Sequence, residues 1–265
     1  MIILASIDPL FSLSGFAVGA LVGMTGVGGG SLMTPLLVLV FGVNPATAVG
    51  TDLLYASLTK SAGVWVHSKR GNVDWKLVGL LAAGSLPAAL LCVVLLRVLG
   101  VETSRVSGII TGSLGVALML TALSLLFKER LQRLASRKAI EGESWRQRHV
   151  AAVTVATGAV LGALVTLSSV GAGALGVTAL LFLFPLLPAA RIVGSDIAHA
   201  VPLTAVAGLG HLSMGTVDLG LLGSLLVGSL PGIYLGSHAS SRVPERFLRP
   251  ALASLLVIVG GKLVW

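Results

Sequence analysis

The sequence predicts an all-α polytopic membrane protein made of two inverted-topology repeats, with helices broken or made re-entrant at glycine. Three observations predict it. Of 265 residues, 55% are hydrophobic and 11% charged, about half the charged share of a soluble domain. Several apolar stretches reach about 18 residues or more, enough to cross a bilayer core. The first half of the chain also recurs in the second.

Apolar segments run over about 10–27, 31–43, 47–66, 76–97, 105–127, 150–168, 174–187, 191–212, 219–239 and 250–265. The first, second, sixth and seventh are short or broken by Gly and Ser. Pro87, Pro202 and Pro231 fall inside long segments and predict kinks. The one long polar stretch, 128–149, holds seven Lys/Arg against three Glu. It divides the chain into a first transmembrane repeat (1–127), a cytoplasmic linker loop (128–149) and a second transmembrane repeat (150–265).

The repeat is explicit. Residues 15–46 match 158–189 at an offset of 143, with 13 of 32 positions identical; residues 50–87 match 194–231 at an offset of 144, with 14 of 38 identical. His67, Gly71, Val73 and Asp74 recur in register as His211, Gly215, Val217 and Asp218. Apolar composition alone matches Leu with Leu; it does not align His, Asp and Pro. This is a duplication.

Charge gives orientation. With 128–149 inside and sides alternating, the inner loops hold Lys69, Arg70, Lys76, the seven of 128–149, Arg191, Arg242, Arg246 and Arg249. That is 14 of 18 basic residues, as the positive-inside bias requires. Arg191 reads as an anchor of this kind. Each half then crosses an odd number of times and the halves are inverted, whether segments one and two are two spans or a re-entrant hairpin. Inverted repeats are a common plan for secondary transporters, with binding near the midplane at broken helices.

The formal charge of +8 sits in short loops between apolar segments, so no basic face exists for nucleic acid. The single cysteine, Cys92, permits no internal disulfide. The N-terminus lacks a basic n-region and contains Asp8, so it does not read as a cleaved signal peptide. No catalytic set, metal cluster or cofactor motif emerges, and the chain reads as a non-enzyme.

The candidate substrate site is the pair of glycine breaks. Thr25, Gly26, Gly28, Gly29, Gly30 and Ser31 form the first; Ser168, Ser169, Gly171 and Gly173 form the second. A helix starting after such a break points N–H groups and its positive dipole end at the gap, and hydroxyls add donors. Packing of small residues is the competing explanation, weakened because the motif occurs twice in register. Lys60 is an intramembrane cation eight residues after Asp52, fit to attract an anion. Asp52, its repeat partner Asp196, and His199 are candidates for coupling or gating, the two Asp residues competing with a helix-capping role. His67 and His211 read as structural residues at helix ends. A small anion and the lipid bilayer are the expected partners, and a homodimer is compatible with the chain.

These motifs resemble the TauE/SafE family, also called TSUP, of sulfite and organosulfonate exporters. The resemblance rests on Gly26 to Gly30 through Pro35, on Asn44-Pro45 through Gly50-Thr51-Asp52, on His67 through Asp74, and on Val193 through Ala200. It covers about residues 15–265. Many members carry Ser where Asp52 and Asp196 stand. The resemblance implies a multi-pass permease of the bacterial cytoplasmic membrane for sulfite, thiosulfate, sulfoacetate or a related anion. The expected function is export of such an anion, voltage-driven because the cell interior is negative. Proton coupling through Asp52, Lys60, Asp196 and His199 is the variant, and uptake or channel function on the same scaffold is the alternative.

Overall fold

The computed structural model describes residues 7–25, 30–100, 104–141, 143–239 and 245–264. Among these the chain forms ten helices and no strand. In order they are α1 (Pro9–Thr25), α2 (Gly30–Leu39), α3 (Pro45–Lys69), α4 (Trp75–Leu99), α5 (Ser104–Glu141), α6 (Glu143–Ser168), α7 (Ala174–Leu183), α8 (Ala189–Ser213), α9 (Leu219–Ala239) and α10 (Glu245–Val264). They follow the ten apolar segments one for one. Five are long and apolar enough to cross a bilayer: α4, the 106–127 part of α5, the 149–168 part of α6, α8, and α9 to Gly236. The chain is a polytopic membrane protein.

Two features differ from the sequence reading. Of the polar stretch 128–149, the described residues are helical backbone, as the end of α5 and the start of α6. Its Ala, Leu, Arg, Lys, Gln and Glu are strong helix formers, and a segment test based on apolarity passes over a polar helix. Asp52 and Asp196, moreover, do not cap helices. Asn44 caps α3, its side chain accepting from the Ala46 amide, and α8 starts after Pro188. Both carboxylates lie more than a turn inside their helices.

Helix directions follow from the residues that meet. Along the α3–α8 crossing, Gly50 faces His211, Leu54 faces Gly208, Gly63 faces Ile197, and His67 faces Gly194. The two helices are antiparallel. α1 and α9 run parallel, since Gly15 meets Leu225 and Gly19 meets Ser229. α4 and α6 run parallel too, with Gly158 at Leu81 and Gly162 at Ser85. α4 follows α8, through Ser85–His199 and Val93–Gly210; α3 follows α9, through Thr51–Asp218 and Tyr55–Ser229. Thus α1, α3 and α9 point one way, and α4, α6 and α8 the other. Because α1 and α3 are parallel, α2 must return the chain between them. α2 and α7 have 10 residues each, or about 15 Å of helix at 1.5 Å per residue, half of a ~30 Å hydrocarbon core.

These contacts come in reciprocal pairs under the repeat offsets. The Asp74 amide donates to Ser195 Oγ at 2.8 Å, and the Asp218 amide to Thr51 Oγ1 at 3.1 Å. Gly50 packs on Thr216 and His211; Gly194 packs on Asn72 and His67. Helices α1 and α9 meet at Gly15, Gly19, Gly228, Gly232 and Gly236, backbone to backbone, and α4 and α6 meet in the same way at Gly84, Gly158 and Gly162. Small residues at this spacing let helices approach where no hydrophobic effect drives them together. The main buried core joins both halves, with Val49 and Leu53 of α3, Ala89 and Leu96 of α4, and Ala200, Leu203 and Ala207 of α8.

One end of the α3–α8 crossing is basic. Lys69, Arg70, Lys76 and Arg191 all lie near the His67–Gly194 contact, whereas residues 40–51 and 209–219 at the other end contain no Lys or Arg. Trp65 and Trp75 are exposed at the basic end, and the Lys69 ammonium sits 3.9 Å from the Trp65 ring centroid. Exposed Trp beside cations is the pattern of a membrane–water interface.

Candidate functional site

Glycine is required where the second break bends. α6 ends at Ser168 and α7 begins at Ala174. Between them Gly171 has φ +128° and Gly173 φ +133°, values L residues rarely adopt. Ser169, at φ +58°, takes the left-handed conformation without a glycine's freedom, a modest strain of a kind often held at functional sites. Ser168 turns inward on the loop itself, donating to Leu164 O at 2.6 Å and accepting from the Val170 amide at 3.1 Å. These two bonds close the turn. α7 is then started by Gly176 N–H on Gly171 O at 3.0 Å and Val177 N–H on Gly173 O at 2.9 Å. The amides of Gly171, Ala172, Gly173, Ala174 and Leu175 reach no acceptor among the described residues. With the Gly173 amide turned toward Asp196, four unused donors remain at the start of this helix, where the dipole is positive.

Lys60 comes to this break from the other half. Its Nζ donates to the carbonyl oxygen of Ala172 at 2.9 Å. The half-buried ammonium also lies within electrostatic range of both Asp52 and Asp196, without a close ion pair to either. So Lys60 is brought to the loop that holds Ser169, Gly171 and Gly173.

Asp52 is fully buried. Its Oδ2 accepts the Thr34 hydroxyl of α2 at 2.5 Å. Its Oδ1 has no hydrogen-bond partner, and neither does the buried Ser169 hydroxyl that faces it. Asp196, 1% exposed, has no partner for either carboxylate oxygen. The Gly173 amide faces it without closing a hydrogen bond. It sits so close to Gly176 of α7 that a Cβ there would overlap Oδ1. His199 pairs its Nε2 with Ser85 Oγ of α4 at 2.8 Å and leaves Nδ1 unpartnered. Tyr55, which occupies the repeat position of His199, faces Ser229, the repeat partner of Ser85. Thr34, Tyr55, Ser85 and Ser229 were not among the sequence candidates. The duplication offers a signal for the last pair, since Ser85 and Ser229 both stand in the repeated Gly-Ser-Leu-Pro.

Of the first break, Gly26, Gly28 and Gly29 lie outside the described residues, as do the side chains of Thr25 and Ser31; Gly30 is described as the first residue of α2. His211 is structural: its Nδ1 pairs with Thr216 Oγ1 at 2.9 Å and its Nε2 with Thr166 O at 3.1 Å. No group of three metal-ligating side chains occurs among the described residues.

A family model described as Sulfite exporter TauE/SafE matches residues 11–263. The chain belongs to the TauE/SafE family. Its relatives in that family include YjnA of Bacillus subtilis, described as a probable membrane transporter protein, to which it is 42% identical over 95% of this chain and 98% of the relative. A second Bacillus subtilis protein, YdhB, with the same description, is 27% identical over 92% of this chain and 97% of the relative. A probable membrane transporter protein of Xylella fastidiosa is 26% identical over 95% and 93%. No solved structure matches the chain. Family membership and the apolar helices agree on a multi-pass membrane protein.

Proposed function

We propose that this TauE/SafE-family membrane transporter carries a small anion, with sulfite, a sulfonate or a related sulfur oxyanion as cargo. The observation that carries the reading is the meeting of Lys60 with the second glycine break: one cation beside four unused backbone donors. Hydrogen bonds from backbone amides suit an oxyanion because its oxygens accept and never donate. The burial of Asp52 and Asp196 supports a carrier, which occludes its site, over an open channel. The crossing of equivalent helices α3 and α8 in opposite directions supports two halves inverted across the bilayer, exchanging roles between outward-open and inward-open forms.

Direction follows from coupling. A bare monovalent anion leaving a cell gains about 2.3 kcal/mol per 100 mV, so an uncoupled carrier exports, as the family description supports. The two buried carboxylates favour a second reading, in which the anion travels with cations and enters.

The reading is tested by thermal shift of the purified protein with sulfite, thiosulfate, methanesulfonate and sulfoacetate, since ligand bound to the folded state raises the midpoint. Lys60→Met should insert normally and bind the effective anion roughly 10- to 150-fold more weakly, the worth of a hydrogen bond to a charged group. Wild-type affinity in that variant would remove Lys60 from the site.

A further inference from the structure

The charges in this site do not balance around an anion. Asp52 and Asp196 are both buried, and the cation near them is Lys60. Ionised together the three sum to −1. A monovalent anion beside them would bring the total to −2, inside a protein where uncompensated charge is strongly penalised. Nor is Lys60 locked into a structural ion pair that would discharge either carboxylate: its hydrogen bond goes to the Ala172 carbonyl. Three of the four carboxylate oxygens lack any partner, a costly state for a buried charge.

Sodium fits poorly as the missing cation. It needs several oxygen ligands converging on one point. The carboxylates and Ser169 offer oxygens, but the break adds amides, which repel a cation, and its Ala172 carbonyl is already occupied by Lys60. A proton needs one lone pair. Two protons, one on each carboxylate, leave the Lys60 ammonium and the anion as the remaining charges, and their sum is zero. Two neutral carboxyl groups also supply O–H donors toward an oxyanion.

Building on the anion reading, we infer that the site binds its anion together with protons, two for each monovalent anion, taken up on Asp52 and Asp196. The other titratable groups facing these positions have different roles. His199 is tied to Ser85 and faces the Lys60 charge. His211 is tied to Thr216 and Thr166. Tyr55 faces Ser229, and His67 lies at the far basic end of α3. The loaded site is neutral and the empty one carries −1, so one positive charge enters per cycle of uptake. Membrane potential therefore drives this cycle inward, opposite in sign to uniport of the bare anion.

The test uses the purified full-length protein and methanesulfonate, a monovalent anion with no titration of its own near neutrality. Binding is read by thermal shift, and proton uptake by a pH dye in weak buffer. Two protons per anion should appear, and affinity above the carboxyl titration range should fall about 100-fold per pH unit, by linkage. Asp196→Asn and Asp52→Asn should each bind the anion with one proton and about 10-fold per pH unit. In vesicles, inside-negative potential should accelerate methanesulfonate entry. Binding without proton uptake, loss of one proton in His199→Gln with none lost in the Asp variants, sodium dependence in place of proton uptake, or inside-negative potential driving efflux would each overturn the inference while leaving an anion carrier. If neither methanesulfonate nor any other sulfur oxyanion binds, the anion reading itself falls, and co-binding with it. Should an Asp variant fail to insert, the proton count and pH slope of the unmodified protein decide the matter alone.

Discussion

The Asp74 amide rests on the Ser195 hydroxyl at 2.8 Å, across 121 residues of sequence. Its counterpart joins the Asp218 amide to Thr51 across 167 residues. In each pair the residue that ends an α3–α4-type turn, just before the next helix, is held by a hydroxyl in the second turn of the opposite half's third helix. A twofold rotation that exchanges antiparallel α3 and α8 has its axis perpendicular to both. If these helices cross the bilayer, that axis lies in its plane.

Topology is therefore the first prediction. A reporter fused after residue 140 should lie in the cytoplasm and one fused at the C-terminus should lie outside, since the basic end of the α3–α8 crossing shares a side with the α5–α6 junction under the positive-inside bias. The measurement is paired alkaline phosphatase and fluorescent-protein fusions. Both reporters on one side would reject inversion.

A second prediction concerns the helix seams. At Gly84, Gly158 and Gly228 an added Cβ would collide with the backbone of the partner helix, whereas at Gly79 it would meet nothing within 4 Å. Gly158→Ala should lower stability by about 1–3 kcal/mol, the cost of overpacking, and Gly79→Ala should be neutral or slightly stabilising. Unfolding midpoints in mixed micelles compare them. Equal midpoints for the two variants would show that the seams tolerate separation.

The third prediction separates backbone geometry from pocket filling at the second break. A Cβ on Gly171 would meet Val165 Cγ2 at 3.3 Å, a contact that can relax, but φ +128° cannot be held by an L side chain. Gly171→Ala should therefore impair anion binding nearly as much as Gly171→Leu. A graded loss that follows side-chain volume, measured by thermal shift, would instead mean that the position lines the pocket.

How much of this was legible before the structure depends on which residues carry the information. Ten segments matched ten helices because lipid demands long apolar runs. The duplication was readable because His67, Asp74 and Pro87 recur at fixed offsets. Lys60 and Asp52 were conspicuous as charges in an apolar stretch. Their partners were not. Thr34, Ser85 and Ala172 reach the site by contacts spanning 18 to 114 residues, and nothing in a hydroxyl's local sequence says which carboxylate or imidazole it will face. The capping alternative for Asp52 and Asp196 failed because it assumed helices that start near them, while Pro45 starts α3 two turns earlier.

The α1–α9 seam also bears on how the protein is made. Asp8, at the head of α1, donates its amide to Ser224 in α9, 216 residues later. A ribosome adding about 5–20 residues per second needs roughly 10–40 s to supply that partner. During this interval α1 waits in the bilayer with its glycine face unmatched, while α4 and α6 can join as soon as both emerge. A bacterial cell short of insertase or quality-control capacity should lose this protein first as chains that have α1 but not yet α9.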